Sequence, residues 1–95
     1  MMHEAPPPPD WGLFQKVLNE RWPLRDRRGD RHALGIPDQP VGLVVDARVI
    51  WERDGEEIVN GQARRWINAY VYVAFSDPRL HGTGVWLRAS DVHRR

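Results

Sequence analysis

Two kinds of side chain in this sequence could act together in binding: aromatic rings and the guanidinium groups of arginine. Thirteen of the fourteen basic residues are arginine, and five of the 95 residues are tryptophan. Arginine forms paired hydrogen bonds with carboxylate or phosphate groups and stacks on aromatic faces. A surface of rings and guanidinium groups suits a peptide, a cation or stacked bases. The candidate binding residues are six that lie close together in sequence: Arg64, Trp66, Tyr70, Tyr72, Trp86 and Arg88.

The element that must position this set is the run of residues 69–75. Two valines alternate there with two tyrosines, a pattern typical of a half-buried strand. If the valines face the core, the tyrosines face outward. We expect Trp66 to share the outward face because its position has the same parity. Trp86 should also point outward, opposite to Val85 and Leu87.

Catalytic and metal-binding residues are sparse. There is no cysteine, and the few aliphatic hydroxyl groups fall in predicted turns without a base at a recognisable spacing. The hydroxyl residues are Ser76, Thr83 and Ser90, and the histidines are His3, His32, His81 and His93. No two histidines have the spacing of metal ligands. The carboxylates near Asp54 are typical of a solvated hairpin tip. The sequence therefore predicts a protein that is not an enzyme and has no metal or cofactor.

The remaining strands follow from the same alternation. Residues 45–51 place valine, alanine and tryptophan on one face, and Asp54-Gly55 then indicates a two-residue hairpin. The return strand should occupy residues 56–68, with a break or bulge near Asn60-Gly61. After residues 85–88, one tight helical turn over residues 89–91 leads to a last short strand. Several short strands with frequent turns indicate a small barrel or sandwich.

The C-terminal part of the chain resembles a known superfold. The segment Gly84-Val85-Trp86-Leu87-Arg88-Ala89-Ser90-Asp91-Val92 is similar to the closing segment of Src-homology-3-type (SH3-type) barrels. The stretch of residues 45–56 resembles the first strands of the Tudor-type members. The resemblance implies a mainly β fold, a single small SH3-like barrel of about five strands. Arg88 stands where a proline is usual in these barrels, and an acidic ligand-binding loop is missing, so the resemblance does not extend to recognition of proline-rich peptides.

The chain is predicted to have four segments. Residues 1–9 form a disordered proline-rich leader, residues 23–40 an irregular basic loop, and residues 41–95 the barrel. Between the leader and the loop, residues 10–22 are predicted to be a short helix, because Asp10 is a good N-cap and apolar residues recur at positions 11, 14 and 18. The apolar stripe of this helix must be buried against the barrel, a partner or a second copy.

Composition limits the function further. The formal net charge is +1, which argues against a strong electrostatic attraction to nucleic acid. With no signal segment and no apolar run of membrane-spanning length, we expect a cytoplasmic protein without membrane contact. The sequence favours a non-catalytic adaptor or accessory subunit that contacts a protein partner through the aromatic and arginine residues. The alternatives are a nucleic-acid-binding barrel, a face covered by the N-terminal helix, and a homo-oligomer joined by that helix.

Overall fold

The computed structural model describes residues 13–23 and 42–95. These residues form one antiparallel sheet with the strand order β4-β3-β2-β1-β5, so the fold class is mainly β, as predicted. The strands are β1 (Leu43–Trp51), β2 (Gly55–Ile67), β3 (Tyr70–Ala74), β4 (Gly84–Arg88) and β5 (Val92–Arg94). The predicted leader and residues 24–40 of the predicted basic loop lie outside the described residues.

The core lies on one face of this sheet. Alternation in β1 buries Val45, Ala47, Val49 and Trp51, as the sequence predicts. Residues of β2, β3 and β4 and two from the segment after β3 complete the buried cluster: Ala63, Val73, Val85 and Leu87, with Phe75 and Leu80. Burying one such aliphatic or aromatic side chain contributes about 1.5–3 kcal/mol. The Trp51 ring meets the ring of Phe75 edge-on, with centroids 6.3 Å apart.

The hairpin between β1 and β2 is where the sequence places it, but its turn is longer than predicted. Trp51 pairs with Gly55, so the turn contains the three residues 52–54. Gly55 has a φ of 80°, a conformation that glycine adopts without steric cost, and three-residue hairpin turns commonly end in such a residue. The predicted break near Asn60-Gly61 is absent from β2, which runs unbroken. Its irregularity lies between Ala63 and Arg65 instead.

A two-residue turn that the sequence analysis did not predict joins β2 to β3. Ile67 pairs with Tyr70 across it, and Asn68 takes a φ of 52°. Asparagine tolerates this left-handed conformation better than most residues. The turn fixes the register of the two strands that carry most of the candidate site.

The predicted helix over residues 10–22 is not confirmed. Residues 10–12 lie outside the described part, and residues 13–22 contain turns and one isolated bridge but no helix. Val17 forms that bridge with Trp51, and the Leu18 N–H donates to the Ile50 carbonyl at 2.7 Å. We call residues 15–21 the strap, because they cross the edge of the sheet in this way.

Two amide side chains attach the strap to β1 and its turn. The Oε1 atom of Gln15 accepts hydrogen bonds from the backbone N–H groups of Arg53 and Asp54, at 3.0 and 3.1 Å. Asn19 accepts from the Ile50 N–H and donates to the Arg48 carbonyl, both at 2.9 Å. A free helix of three turns is only marginally stable in water, and these long-range bonds hold the segment in a bridge followed by a turn instead.

The strap also reaches β4. The Arg21 N–H donates to the Trp86 carbonyl at 2.8 Å. Strands β1 and β4 are separated in the sheet by β2 and β3. One segment that bonds to both therefore requires a strongly curled sheet.

The chain ends beside its first strand. A 3₁₀ turn, Ala89–Asp91, follows β4, and Val92 then pairs with Ala47 as β5 runs antiparallel to β1. The tight turn and the last short strand are as predicted. Among the described residues, no helix has the length and apolar character needed to cross a membrane.

Candidate binding face

The outer face of strands β3 and β4 carries most of the candidate residues. Tyr72 lies opposite Trp86, and Tyr70 lies opposite Arg88. Directly opposed residues of antiparallel strands lie side by side on one face. The ring centroids of Tyr72 and Trp86 are 5.5 Å apart. The structure thus brings these four residues together on the side of the sheet away from the core.

Trp66 lies on the other face, contrary to the expectation from its parity. It pairs with Val71, which packs against the core. The reason is the two-residue turn at Asn68-Ala69, which pairs even-numbered residues of β2 with odd-numbered residues of β3. Trp66 is 47% exposed because it is near the end of its strand, and it does not belong to the tyrosine face.

Arg65 takes the position that was expected for Trp66. It pairs with Tyr72, and its guanidinium carbon lies 6.0 Å from the centre of the tyrosine ring. This distance is at the limit of a cation–π contact. The neighbouring Arg64 lies at the irregular position of β2 and donates to Gln62 Oε1 at 3.5 Å. If the Asn68 turn had been recognised in the sequence, Arg65 would have been predicted to lie beside Tyr72 on the outer face.

Trp86 is on the predicted face but is only 2% exposed. Tyr72 packs beside it, and the ring of Trp22, the residue that follows the strap, lies with its centroid 6.2 Å away. Trp22 is itself 42% exposed. One alternative was that a helical stripe would cover this face; among the described residues of the N-terminal segment, the ring contact with Trp86 comes from Trp22. Trp86 supports the face from beneath, and Trp22 extends it.

The orientation of Tyr72 is fixed at its far end. Its hydroxyl group and the Thr83 hydroxyl are 2.9 Å apart. Beside the ring, β4 begins at Gly84, where an added Cβ would lie 2.9 Å from Tyr72 Cζ and closer still to the Val73 carbonyl. Any other residue at position 84 would push the ring away. We define the aromatic–arginine face by its accessible residues: Trp22, Arg65, Tyr70, Tyr72 and Arg88.

A second arginine site is built around Arg79, after β3. Its guanidinium carbon lies 4.3 Å from the centre of the Trp51 ring. It donates to both carboxylate oxygens of Asp77 and of Glu57, and to Asp54 Oδ2 at 3.1 Å. We call these five residues the Arg79 cluster.

The Arg79 cluster shifts the pKa values of its own groups. Hydrogen bonds from Gln15 and then from Arg79 lower the pKa of the Asp54 carboxyl, and those from Arg79 lower the pKa of Asp77. The hydrogen bonds of Arg79 to Asp77 and Glu57 raise its own pKa. These shifts favour the charged forms of Asp54, Asp77 and Arg79. The cluster is an internal ion-pair network at the hairpin tip.

The histidine and carboxylate side chains do not form a metal site in the described part of the chain, where no three of them come together in a suitable arrangement. His81 instead packs edge-on against Phe14, with ring centroids 5.0 Å apart. Comparison with known proteins adds no relative: no family model, no curated protein and no solved structure matches this chain.

Proposed function

We propose that this protein is a small SH3-like barrel that serves as a non-catalytic binding module for a protein partner. The partner is bound on the aromatic–arginine face. The fold part of the proposal is supported by the strand order β4-β3-β2-β1-β5 and by the 3₁₀ turn between β4 and β5. In SH3-like barrels the last strand likewise returns beside the first after such a turn, as the resemblance of residues 84–92 implies.

The observation that supports the function best is the exposure of rings on a rigid sheet. Tyr70 and Tyr72 are half-buried and Trp22 is 42% exposed. Strand pairing fixes Tyr70 and Tyr72, and the Thr83 hydroxyl also holds Tyr72. Trp22 lies outside the strands and contacts the Trp86 ring. Rigid aromatic side chains lose little conformational entropy on binding, which is why they dominate the energetics of protein interfaces.

The pairing of the Thr83 hydroxyl and of the carboxylates in the Arg79 cluster favours binding over catalysis. The Thr83 hydroxyl is paired with the Tyr72 hydroxyl and not with a general base, which a nucleophile would need. Asp54, Glu57 and Asp77 are occupied by Arg79. An adaptor needs a fixed surface that is complementary to its partner in shape and charge. The aromatic–arginine face is such a fixed surface.

Nucleic acid is the alternative partner, because rings flanked by arginine can stack on bases. The β1–β2 part of the sheet also carries carboxylates, each paired with an arginine, so that these pairs add no net positive charge to attract a polyanion. Glu56 is exposed, and Asp46 is half-exposed on the outer face of β1. With a net charge of +1, long-range attraction is small. These charges favour a protein partner.

Selection from a library of short random peptides, with the full chain immobilised, tests the proposal. We expect peptides whose affinity falls about tenfold on Tyr70→Ala, since truncating an aromatic residue at the centre of an interface typically costs more than 1 kcal/mol. Fluorescence anisotropy measures the affinity, and thermal unfolding shows that each variant is folded.

The matched control is Ile58→Ser. Ile58 is 60% exposed and lies opposite Arg48 on the β1–β2 part of the sheet, so this change should leave peptide affinity within about twofold. Equal losses of peptide affinity in the Tyr70→Ala and Ile58→Ser variants would show that the aromatic–arginine face is not the binding site. If oligothymidine binds instead, with an affinity that falls steeply with the logarithm of salt concentration, the partner is nucleic acid.

A further inference from the structure

A depression lies next to the aromatic–arginine face, where the strap meets the end of β4. Its volume is about 250 Å³. It is lined by three arginines and three smaller polar residues, Asn19, Arg21, Arg48, Arg88, Ser90 and Asp91. We call it the arginine pocket.

One of the three arginines is already neutralised. Arg48 donates from Nη1 to Asp91 Oδ1 at 3.0 Å and from Nε to Glu56. Asp91 Oδ2 also accepts from Asn19 Nδ2 at 3.1 Å. Each oxygen of Asp91 therefore already accepts one hydrogen bond, and neither of these bonds comes from Arg21 or Arg88.

Arg21 and Arg88 keep donors available. The only hydrogen bond from the Arg21 side chain to the described residues is from Nη1 to the Glu20 carbonyl, at 3.0 Å. Arg88 is exposed and forms no ion pair or hydrogen bond from its side chain within residues 13–23 and 42–95. Among the described residues, the pocket thus contains three guanidinium groups but only two nearby carboxylates, those of Asp91 and Glu56, so positive charge is in excess. The exposed residue Ser90 lies beside them.

The walls of the pocket are fixed before any ligand binds. The backbone bond from Arg21 to Trp86 holds the strap against β4, and Asn19 ties the strap to β1 and to Asp91. Pre-organised donors lose less entropy when they bind a ligand. The excess of positive charge in a rigid site indicates a small anionic group as the ligand.

We propose that the arginine pocket binds an aspartate or glutamate side chain of the partner, so that the proposed module recognises an acidic segment of a protein. This inference rests on the proposed function. Arginine binds carboxylates through paired hydrogen bonds, and the volume suits one carboxylate better than a chain of phosphates.

The pocket and the face form one continuous surface. Arg88 belongs to both, and it lies directly opposite Tyr70. A peptide with its apolar residue on the tyrosine rings therefore places a neighbouring acidic residue at Arg21 and Arg88. The recognised sequence is an acidic residue close to an aromatic or large aliphatic one.

The peptide selection can be repeated with two further variants of the full chain. The test variant is Arg21→Gln/Arg88→Gln. The control is Lys16→Gln/Arg94→Gln, which removes the same charge at two exposed positions outside the pocket. We expect the wild type and the control to select peptides rich in aspartate and glutamate. The test variant should lose this preference, with acidic peptides binding about tenfold more weakly.

The outcomes separate this inference from the proposed function. If Tyr70-dependent peptides are selected without enrichment of acidic residues, or if the test variant keeps the enrichment, the acidic ligand is wrong and the binding module stands. If no peptide depends on Tyr70, both proposals fall. If oligothymidine binds more tightly than the acidic peptides and depends on Arg21 and Arg88, the pocket binds phosphate of a nucleic acid and the proposed carboxylate ligand is overturned.

Discussion

Arg79 and Arg88 use the same chemical group in opposite ways. Arg79 directs its donors at the carboxylates of Asp54, Glu57 and Asp77, and its side chain is 20% exposed. Arg88 faces two other arginines across the arginine pocket and is exposed to solvent. An arginine whose donors are satisfied inside the protein holds loops together. One whose donors remain available can instead hold a ligand.

The largest expected difference between the two sites is in stability. Arg79→Met should lower the free energy of unfolding by about 2–3 kcal/mol, because it removes charged hydrogen bonds and leaves three carboxylates close together. Arg88→Met should change it by less than about 0.5 kcal/mol. Urea unfolding followed by tryptophan fluorescence measures both. Similar losses for the two variants would show that the two sites do not differ in this way.

The next effect concerns the strap, which shapes the arginine pocket. Asn19→Ala should cost about 1–2 kcal/mol, because the N–H of Ile50 loses its acceptor and Asp91 loses a donor. Leu18→Ala is the control, since Leu18 is 54% exposed. Hydrogen exchange of the Ile50 amide should become faster only in the Asn19 variant. Unchanged exchange there would show that the strap is held by other contacts.

The smallest expected effect is in the acid dependence of stability. The folded-state pKa values of Asp54 and Asp77 lie below the ordinary value of 3.8. Their stabilising contribution is therefore present above pH 3.8 and is lost as the pH falls through the lower, folded values. The free energy of unfolding should fall less steeply below this pH in Asp77→Asn than in the wild type. Arg88→Met should keep the wild-type slope, and a reduced slope there would contradict the distinction between the sites.

The sequence predicted the parts of the fold that depend on neighbouring residues. Period-two alternation in β1 and in residues 69–75 identified both strands and their inward faces, and residues 89–92 showed the tight turn and the last strand. The outward position of Tyr70, Tyr72 and Trp86 followed from the same alternation. These patterns are local, so one sequence suffices to recognise them.

The errors arose where contacts are distant in sequence. The apolar spacing of Phe14 and Leu18 suggested a helix, yet the strap is attached by Gln15, Val17 and Asn19, which recur at every second position and contact residues of the β1 strand and its turn. The amide side chains replace strand hydrogen bonds there. No hydrophobic pattern reveals this in advance.

The candidate site was predicted in part for the same reason. One undetected turn, at Asn68, placed Trp66 on the wrong face and hid Arg65. Trp22 joined the site only through the strap. The Arg79 cluster combines side chains from the β1–β2 hairpin with two from the segment after β3, and nothing in their spacing indicates that they meet.

The strap has a consequence for the behaviour of shortened chains. Its hydrogen bonds occupy backbone groups at the end of β1 and one carbonyl of β4, that of Trp86, which would otherwise be open to pairing with another molecule. A chain that begins at Gly42 would keep the sheet sequence intact but lose this protection. Such a fragment should tend to aggregate by strand pairing between the exposed sheet edges of different copies. We therefore expect the N-terminal segment to reduce aggregation of the full chain.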